Sequence, residues 1–211
     1  MPRPRVIVAV EGNIGAGKST LLQRLLPSLA PLGGTILPEP VQEWSRSGLL
    51  QRFYDDPKRW AFSFQMFALM TRLRNAQETT GGELLVMERS GGSDRHIFAA
   101  QCKASGLFTP AEGVVYDQFH EWLTPPADQD AVVYLRCSPA VCHARVLQRA
   151  RPEEATLTLE YLEALHGRHE AWLLSLPRAT PVLVIDDNED DVAAVLAFFE
   201  QLLLTRMSAK K

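Results

Sequence analysis

The sequence predicts an α/β protein in which helices cover both faces of a five-stranded parallel sheet. Three observations support this prediction. A β-branched run, residues 6–12, leads through a glycine-rich segment into a leucine-rich helical pattern. Four further apolar runs follow, at 34–39, 83–89, 131–136 and 181–186, and helical segments separate them. These runs are apolar at consecutive positions, which is typical of parallel strands buried on both faces.

Size and composition indicate one globular unit. The chain has 211 residues, of which 46% are hydrophobic and 22% charged, close to the average for globular proteins. We therefore expect a single domain over residues 1–211. The formal charge of -3 does not favour a nucleic-acid or membrane-surface binder, because such proteins carry a basic face. A small polar molecule is the expected partner.

The cysteines and the first residues bear on the cellular compartment. Cys102, Cys137 and Cys142 are odd in number and scattered, which argues against a disulfide framework and favours a reducing compartment. The apolar run near the start is too short for a signal peptide or a membrane span. We expect the mature chain to begin here and to reside in the cytoplasm.

The first glycine-rich segment, GNIGAGKS, fits the phosphate-binding pattern G-x-x-x-x-G-K-[ST]. It lies between a predicted strand and a predicted helix, where backbone N–H groups can surround phosphates and the helix N-terminus adds positive potential. We expect Lys18 to reach the β- and γ-phosphates of ATP and the Ser19 hydroxyl to bind Mg²⁺. An ordinary tight turn is the alternative. The predicted ATP site comprises Gly12, Asn13, Ile14, Gly15, Ala16, Gly17, Lys18, Ser19 and Thr20.

Two acids end predicted strands at the edge where open parallel sheets bind ligands. Glu39 ends the second strand, and Pro40 favours extended geometry for it. An acceptor hydroxyl loses its proton during phosphoryl transfer, so Glu39 is a candidate general base. Glu88 ends the third strand and is a candidate Mg²⁺ ligand, with Arg89 beside it to neutralise phosphate or to orient Glu39. The alternative is that both acids are solvated strand ends.

Three arginines, Arg145, Arg149 and Arg151, occur within one short span that includes the segment RARPEE. Arginines that close over a transferring phosphoryl group stabilise it, and a flexible loop that carries them also excludes water. We therefore predict an arginine-bearing lid, in which Arg149 also contacts ATP. Solvated surface arginines are the alternative.

The helix predicted over residues 60–74, WAFSFQMFALMTRLR, carries polar groups on an otherwise apolar surface. Phe64, Ala68 and Arg72 lie on one stripe at i, i+4 and i+8, with Gln65 beside it. An aromatic ring, a small residue and two hydrogen-bonding groups suit a planar heterocycle, and a buried Arg72 needs an anion, for which Asp94 is the candidate. An ordinary amphipathic helix is the alternative.

These segments together resemble the deoxynucleoside kinase family, cellular and viral, and within it the branch of deoxycytidine and deoxyguanosine kinases. The similarity extends over almost the whole chain. It is carried by EGNIGAGKST, PEPVQEW, YDDPKRWAFSFQ, ERSGGSDRHIFA, VVYLRCSP, RARPEE, LEYLEALHGRHEAWL and DDNED. The resemblance implies a P-loop kinase-like fold and a homodimeric enzyme. Such an enzyme passes the γ-phosphoryl of ATP, with Mg²⁺, to the 5′-hydroxyl of a deoxynucleoside for salvage of DNA precursors.

The resemblance also assigns roles at the sugar and at the donor. Glu39 matches the base on the 5′-hydroxyl, with Arg89 close to the same oxygen. Tyr54 and Glu154 match the pair that holds the 3′-hydroxyl. The segment DDNED around Asp190 matches the loop near the base of ATP. The three predicted lid arginines match the lid of the family.

At the nucleobase, the resemblance implies a sandwich of Phe64 and Phe98, with Gln65 reading the edge of the base. Trp44 and Leu50 match residues that line the same pocket.

Ala68, Arg72 and Asp94 match the trio of the deoxycytidine and deoxyguanosine branch, where thymidine-accepting relatives carry bulkier or apolar residues. The Arg–Asp pair suits a base edge that bears an amine, whereas thymine presents a carbonyl and a methyl. We therefore expect deoxycytidine and deoxypurines to be favoured over thymidine.

Some positions depart from the family pattern. Gly91 and Gly92 replace larger side chains, which predicts a looser pocket wall after Glu88. Phe53 stands where relatives often have methionine, which predicts a narrower pocket near the base.

Other functions fit parts of the sequence. A thymidine-preferring or broad-specificity deoxynucleoside kinase is one alternative, against which Arg72 and Asp94 argue. A nucleoside monophosphate kinase is a second, against which the PEPV and ERS segments argue. The fold also occurs as a non-catalytic accessory subunit of the respiratory NADH dehydrogenase. An intact Lys18, Ser19 and Glu39 argue against that role.

Overall fold

A computed structural model of the protein describes residues 5–124, 129–176, 180–186 and 192–209. Its centre is a five-stranded, all-parallel sheet with the order β2-β3-β1-β4-β5, as the sequence predicts. The strands are β1 (Val6–Gly12), β2 (Gly34–Leu37), β3 (Leu84–Glu88), β4 (Ala131–Arg136) and β5 (Val182–Asp186).

Helices cover both faces of the sheet and build the region beyond its carboxyl edge. The α-helices are α1 (Lys18–Leu29), α2 (Val41–Arg46), α3 (Leu49–Asp55), α4 (Pro57–Glu78), α5 (Gly91–Ser93), α6 (Ala100–Ala104), α7 (Pro110–Leu123), α8 (Pro139–Arg149), α9 (Leu159–Leu173) and α10 (Val192–Ala209). A π-helical turn covers Asp94–Ala99, and short 3₁₀ turns cover Ala30–Leu32 and Pro152–Glu154.

The main core lies between one face of the sheet and the helices α1 and α10. Val8 and Val10 of β1 are fully buried there, together with Leu25 of α1 and Phe199 of α10. The opposite face packs against α9, where Leu173 contacts the β4 side chains. Because β1, β3 and β4 are buried on both faces, their sequences are continuously apolar, apart from Glu11 and the strand ends.

The second strand is shorter than the predicted run of residues 34–39. It ends at Leu37, because Pro38 has no N–H group with which to continue the ladder. Glu39 therefore lies two residues beyond the strand. Pro40, directly after it, occupies the N-cap position of α2.

The predicted helix over residues 60–74 lies within the longer α4. Asp56 caps its N-terminus by accepting a hydrogen bond from the backbone N–H of Arg59, and Pro57 occupies the first helical position. A second core cluster of aromatic and aliphatic side chains packs around α4, from α2, α3, α6 and α7. This cluster positions the polar stripe of α4 at the carboxyl edge of the sheet.

Candidate active site

A cavity of about 860 Å³ opens beyond the carboxyl ends of β1, β2 and β3, where the sequence predicts the ligand site. It extends from the phosphate-binding loop to the polar stripe of α4. The predicted residues that line it are Ile14, Gly15, Gly17, Lys18, Ser19, Thr20, Glu39, Trp44, Leu50, Tyr54, Phe64, Gln65, Ala68, Arg72, Glu88, Arg89, Asp94, Phe98, Arg145, Arg149, Arg151 and Glu154.

The loop between β1 and α1 has the conformation that a phosphate cradle requires. Gly15 has a φ of +82°, and a Cβ atom there would lie 2.5 Å from the carbonyl oxygen of Cys142. The ammonium of Lys18 folds over the loop and donates to the carbonyl oxygens of Gly12 (3.2 Å) and Asn13 (2.9 Å). Burial, and then the nearby Arg89, lower the pKa of Lys18 to about 8, against the attraction of surrounding carboxylates.

The two residues predicted to bind Mg²⁺ lie in direct contact. The Ser19 hydroxyl donates to Glu88 Oε1 at 2.8 Å. A hydroxyl and a carboxylate beside a phosphate loop suit Mg²⁺, which takes oxygen ligands and usually completes its shell with phosphates and water. Among the described residues, no group of three or more His, Cys, Asp or Glu side chains could hold a metal.

Glu39 lies among cations. Its Oε1 accepts a hydrogen bond of 2.9 Å from Nη2 of Arg72 and lies 3.4 Å from Nε of Arg89. Burial disfavours the ionised carboxylate, but Arg72, Arg89 and Lys18 outweigh burial and lower the pKa of Glu39. Across the described part of the chain, no group donates a hydrogen bond to its Oε2. That oxygen is available to a substrate hydroxyl.

Arg72 and Asp94 form the buried ion pair that the sequence predicts. Nε and Nη2 of Arg72 donate to the two carboxylate oxygens of Asp94, at 2.8 and 3.2 Å. The two side chains are 4% and 1% exposed. Nη1 of Arg72 donates to the carbonyl oxygen of Glu88, so each guanidinium nitrogen has a partner. Burial opposes the charge of Arg72, but Asp94 and Glu39 outweigh it and raise its pKa.

Gln65 lies about two helical turns before Arg72 on the same side of α4, and its amide is unengaged. Its side chain is 2% exposed and lines the cavity, yet no group hydrogen-bonds to its amide within the described chain. A buried amide without a partner is costly unless a ligand supplies one. The position of Gln65 is therefore suited to reading the edge of a planar base.

The aromatic residues of the pocket contact each other. Phe53 stacks on Phe64, with ring centroids 5.0 Å apart and an angle of 19° between the planes. Trp44 meets Phe64 edge to face at 5.6 Å. Phe53 therefore covers one face of Phe64 inside the cavity. Phe98 also lines the cavity, and the guanidinium carbon of Arg89 stands 4.8 Å from its ring centre.

The arginines of the predicted lid divide between the two halves of the cavity. Nη1 of Arg145 lies 3.4 Å from the carbonyl oxygen of Ala16 in the phosphate loop. Arg149 and Arg151 instead pair with the two oxygens of Glu154, at 2.5 and 3.3 Å. Tyr54 lines the same cavity, and burial, followed by the charge of Glu154, raises its pKa.

Several predicted positions lie elsewhere. Gly12, Asn13 and Ala16 do not line the cavity, because they form the back of the loop, where the Asn13 amide donates to the carbonyl oxygen of Leu162. Asp190 lies outside the described residues.

The expectation of a looser wall at Gly91 and Gly92 is wrong. A Cβ atom on Gly92 would lie 2.5 Å from the Trp172 ring, so this ring fills the space that glycine leaves. Neither glycine lines the cavity.

The cavity also has lining residues that the sequence did not single out. Asn75 and Tyr161 belong to it. Asn75 follows Arg72 by three residues on α4, so helical periodicity could have indicated it. Tyr161 lies within LEYLEALHGRHEAWL, where helical spacing alone gives no sign of a ligand contact.

A doubly wound parallel sheet, a glycine loop closed by Lys18 and Ser19, and a carboxylate at the mouth of the loop define the class of P-loop phosphotransferases. A model of the deoxynucleoside kinase family matches residues 8–202, and the chain belongs to that family.

Individual relatives agree with the family model. The chain is 39% identical over 191 residues to a probable deoxycytidine kinase of fowlpox virus (strain NVSL), an alignment that covers 87% of this chain and 79% of the relative. It is 36% identical over 220 residues to deoxycytidine kinase of Mus musculus, with coverage of 87% and 84%. It is 34% identical over 203 residues to the mitochondrial thymidine kinase 2 of Homo sapiens, with coverage of 92% and 75%.

The helices offer no candidate for a membrane crossing: within the described residues, none combines sufficient length with sufficient hydropathy.

Proposed function

We propose that the protein transfers the γ-phosphoryl group of ATP to the 5′-hydroxyl of a 2′-deoxynucleoside, acting as one domain over its 211 residues. The observation that carries this proposal is the position of Glu39. Its carboxylate lines the same cavity as the phosphate loop, is held ionised by cations, and keeps Oε2 for a hydroxyl. Membership of the deoxynucleoside kinase family supports the same reaction.

The proposed reaction uses positioning and electrostatics. O5′ of the nucleoside forms a bond to the γ-phosphorus while the bond from that phosphorus to the β–γ bridging oxygen breaks, and ADP leaves. The 5′-hydroxyl proton passes to Glu39 Oε2. Lys18 and the N-terminus of α1 neutralise the charge that develops on the phosphates, and the lid arginines Arg145, Arg149 and Arg151 close over them.

Mg²⁺ is the proposed metal cofactor. Ser19 and Glu88 would hold it, and it would supply positive charge that stabilises the phosphates of ATP. The 2.8 Å contact between their oxygens supports this assignment, because two oxygen ligands already converge beside the loop.

We propose that deoxycytidine and deoxypurines are preferred over thymidine. The Asp94 carboxylate beside the buried Arg72 can accept a hydrogen bond from an exocyclic amine. The amide of Gln65 provides both donors and an acceptor for the neighbouring edge. Thymine would direct a carbonyl and a methyl towards these groups, which leaves buried polar atoms unpaired. The similarity to the two deoxycytidine kinases supports this preference. The similarity to the human mitochondrial thymidine kinase 2 favours the alternative, a thymidine-preferring enzyme.

The sugar is expected between Tyr54 and Glu154, which would hold the 3′-hydroxyl. Glu154 pairs with Arg149 and Arg151 in the structure. Substrate binding would therefore exchange part of these pairs for the hydroxyl and release arginine donors to ATP.

The proposed enzyme is a cytoplasmic homodimer. An exposed apolar face on α7 supports the second copy as partner: Val114, Val115, Phe119 and Trp122 fall within one side of the helix, and Trp122 is 77% exposed. Trp122→Glu should convert the dimer to a monomer in analytical ultracentrifugation, whereas Leu204→Glu on α10 should not. A wild-type protein that sediments as a monomer would contradict the dimer.

A coupled assay of ADP release with Mg²⁺ and each of the four deoxynucleosides tests the main proposal. We expect turnover with amino-bearing bases and a loss of about 10²- to 10⁴-fold in kcat for Glu39→Ala. The control variant Glu78→Ala, an exposed glutamate at the end of α4, should keep wild-type rates. Failure of the unmodified protein to phosphorylate any deoxynucleoside would refute the proposal.

A further inference from the structure

Glu11 is a fully buried carboxylate at the end of β1. Its side chain has 0% exposure, although its strand is otherwise apolar up to the glycine that begins the phosphate loop. It does not line the cavity and has no part in the chemistry described above. A carboxylate in this position must be surrounded by donors, because an unpaired buried charge is strongly destabilising.

The donors come from the turn that follows β3. Oε1 of Glu11 accepts hydrogen bonds from the backbone N–H of Ser90 at 2.9 Å and from the Ser90 hydroxyl at 2.8 Å. Oε2 accepts a hydrogen bond from the Ser93 hydroxyl. Both serines are fully buried. One side chain thus joins the strand that carries the phosphate loop to the turn that carries Arg89.

Arg89 has an unusual backbone. Its φ is +67°, in the left-handed region, which costs a non-glycine residue about 1–2 kcal/mol. Its N–H still donates to the carbonyl oxygen of Val10. The strained residue therefore lies directly between the last hydrogen bond of the sheet and Ser90. Such a conformation persists only where neighbouring contacts fix it.

The strained backbone determines where the Arg89 guanidinium lies. The side chain is 2% exposed, and its Nε is 3.4 Å from Glu39 Oε1. Nε and Nη1 are buried and have no hydrogen-bond partner among the residues that the structure describes. These donors are therefore available to the substrate oxygen that Glu39 deprotonates. If φ relaxed to a negative value, the direction of the Cα–Cβ bond would change and the donors would move away.

We propose that Glu11 is a positioning residue for phosphoryl transfer. By binding Ser90 and Ser93, it holds Arg89 in the left-handed conformation and so keeps its guanidinium beside Glu39 and the acceptor oxygen. This inference rests on the proposed function, because the acceptor oxygen belongs to it. Glu11 itself does not line the cavity and acts on the reaction through Arg89.

The first test compares Glu11→Gln with Glu11→Ala. The glutamine oxygen can still accept from Ser90, and its amide can donate to Ser93 Oγ, whereas alanine removes all three bonds. We expect Glu11→Ala to lose about 10- to 100-fold in kcat, the cost of an ångström-scale misplacement, with KM for both substrates nearly unchanged. Glu11→Gln should stay within about threefold of the wild type. Equal losses in both variants would overturn the proposal.

A purely structural role would predict something different. It would lower the Tm of Glu11→Ala while the kcat of the folded protein stayed at the wild-type value, and that result would also overturn the proposal. Ser93→Ala removes one donor without deleting the carboxylate, so it remains informative should Glu11→Ala fail to fold. We expect an intermediate loss in kcat for it, of about 2- to 10-fold.

A double-variant cycle shows whether Glu11 acts through Arg89. In an Arg89→Lys background the guanidinium is absent, so Glu11→Ala should add less than about a twofold further loss in kcat. Full additivity of the two losses would overturn the proposal.

Amide hydrogen exchange supplies a readout that does not need turnover. The Ser90 amide should exchange much faster in Glu11→Ala than in the wild type or in Glu11→Gln, with no change along β1. If the unmodified protein phosphorylated no deoxynucleoside, the proposed function would fail, and exchange at Ser90 would still decide whether Glu11 fixes this turn. If the wild-type protein is active and the Glu11 variants keep its kcat and its rate of exchange at Ser90, the role of Glu11 is refuted. The proposed function would stand in that case.

Discussion

Asp94→Asn removes one charge from a buried ion pair, and the geometry around Arg72 sets the size of the effect. Loss of one partner from a buried pair costs about 3–5 kcal/mol. The asparagine oxygen keeps one hydrogen bond to Arg72, and Glu39 still accepts from Nη2 at 2.9 Å. We therefore expect the free energy of unfolding to fall by about 2–3 kcal/mol. For a chain of this size that corresponds to a Tm lower by about 4–12 °C.

Chemical denaturation of matched variants tests this value. Asp117→Asn breaks a surface pair in which Asp117 is 44% exposed and Lys103 is 31% exposed. It should lower the free energy of unfolding by less than about 1 kcal/mol. The double variant Arg72→Met with Asp94→Leu removes the pair and fills the space with apolar atoms, so it should be more stable than Asp94→Asn. Its stability should still lie below that of the wild type, because Glu39 loses the hydrogen bond from Arg72. Equal, small effects of Asp94→Asn and Asp117→Asn would refute the reasoning.

The same variant has a kinetic consequence. Asp94→Asn weakens the acceptor for an exocyclic amine, so the ratio of kcat/KM for deoxycytidine to that for thymidine should fall by at least about 10-fold. Initial rates with the two nucleosides measure this ratio. An unchanged ratio would show that Asp94 does not contribute to base selection.

Five other outcomes are expected. Because burial lowers the pKa of Lys18 to about 8, kcat/KM for ATP should decline above about pH 8, and a profile flat to pH 10 would contradict this. Since cations lower the pKa of Glu39, it stays ionised below the ordinary glutamate range, so kcat/KM for the acceptor should persist at about pH 5 and fall only in stronger acid. Gly92→Ala should lower stability by about 1–3 kcal/mol through the Trp172 clash; Gly113→Ala, whose Cβ would have only ordinary contacts, is the control. EDTA should abolish turnover, and Ser19→Ala should raise the Mg²⁺ concentration that half-restores it.

Sequence patterns within short segments predicted the fold and most of the residues that line the cavity. The phosphate loop is a contiguous motif, the buried strands are apolar runs, and helical periodicity placed Gln65 and Arg72 on one side of α4. Each of these depends on residues close in sequence, so one chain suffices to find them.

Features that depend on distant contacts could not be predicted in the same way. Nothing local to Arg72 shows that it donates to Glu39, 33 residues away. The occupation of the Gly92 space by Trp172 likewise depends on how α9 packs. Glu11 did carry a signal, since a charged residue in an apolar strand needs partners, but only the structure shows that these are Ser90 and Ser93.

The guanidinium of Arg72 binds two carboxylates with different proposed tasks: Asp94, which faces the nucleobase, and Glu39, which takes the proton. A poorly fitting nucleobase that displaces Asp94 also disturbs Glu39 through this shared cation. Selectivity should then be expressed as a slower chemical step as well as weaker binding. A redesign of the enzyme for another nucleoside would therefore need a new hydrogen-bond donor for Glu39, because a change at Asp94 or Arg72 alone would also lower kcat.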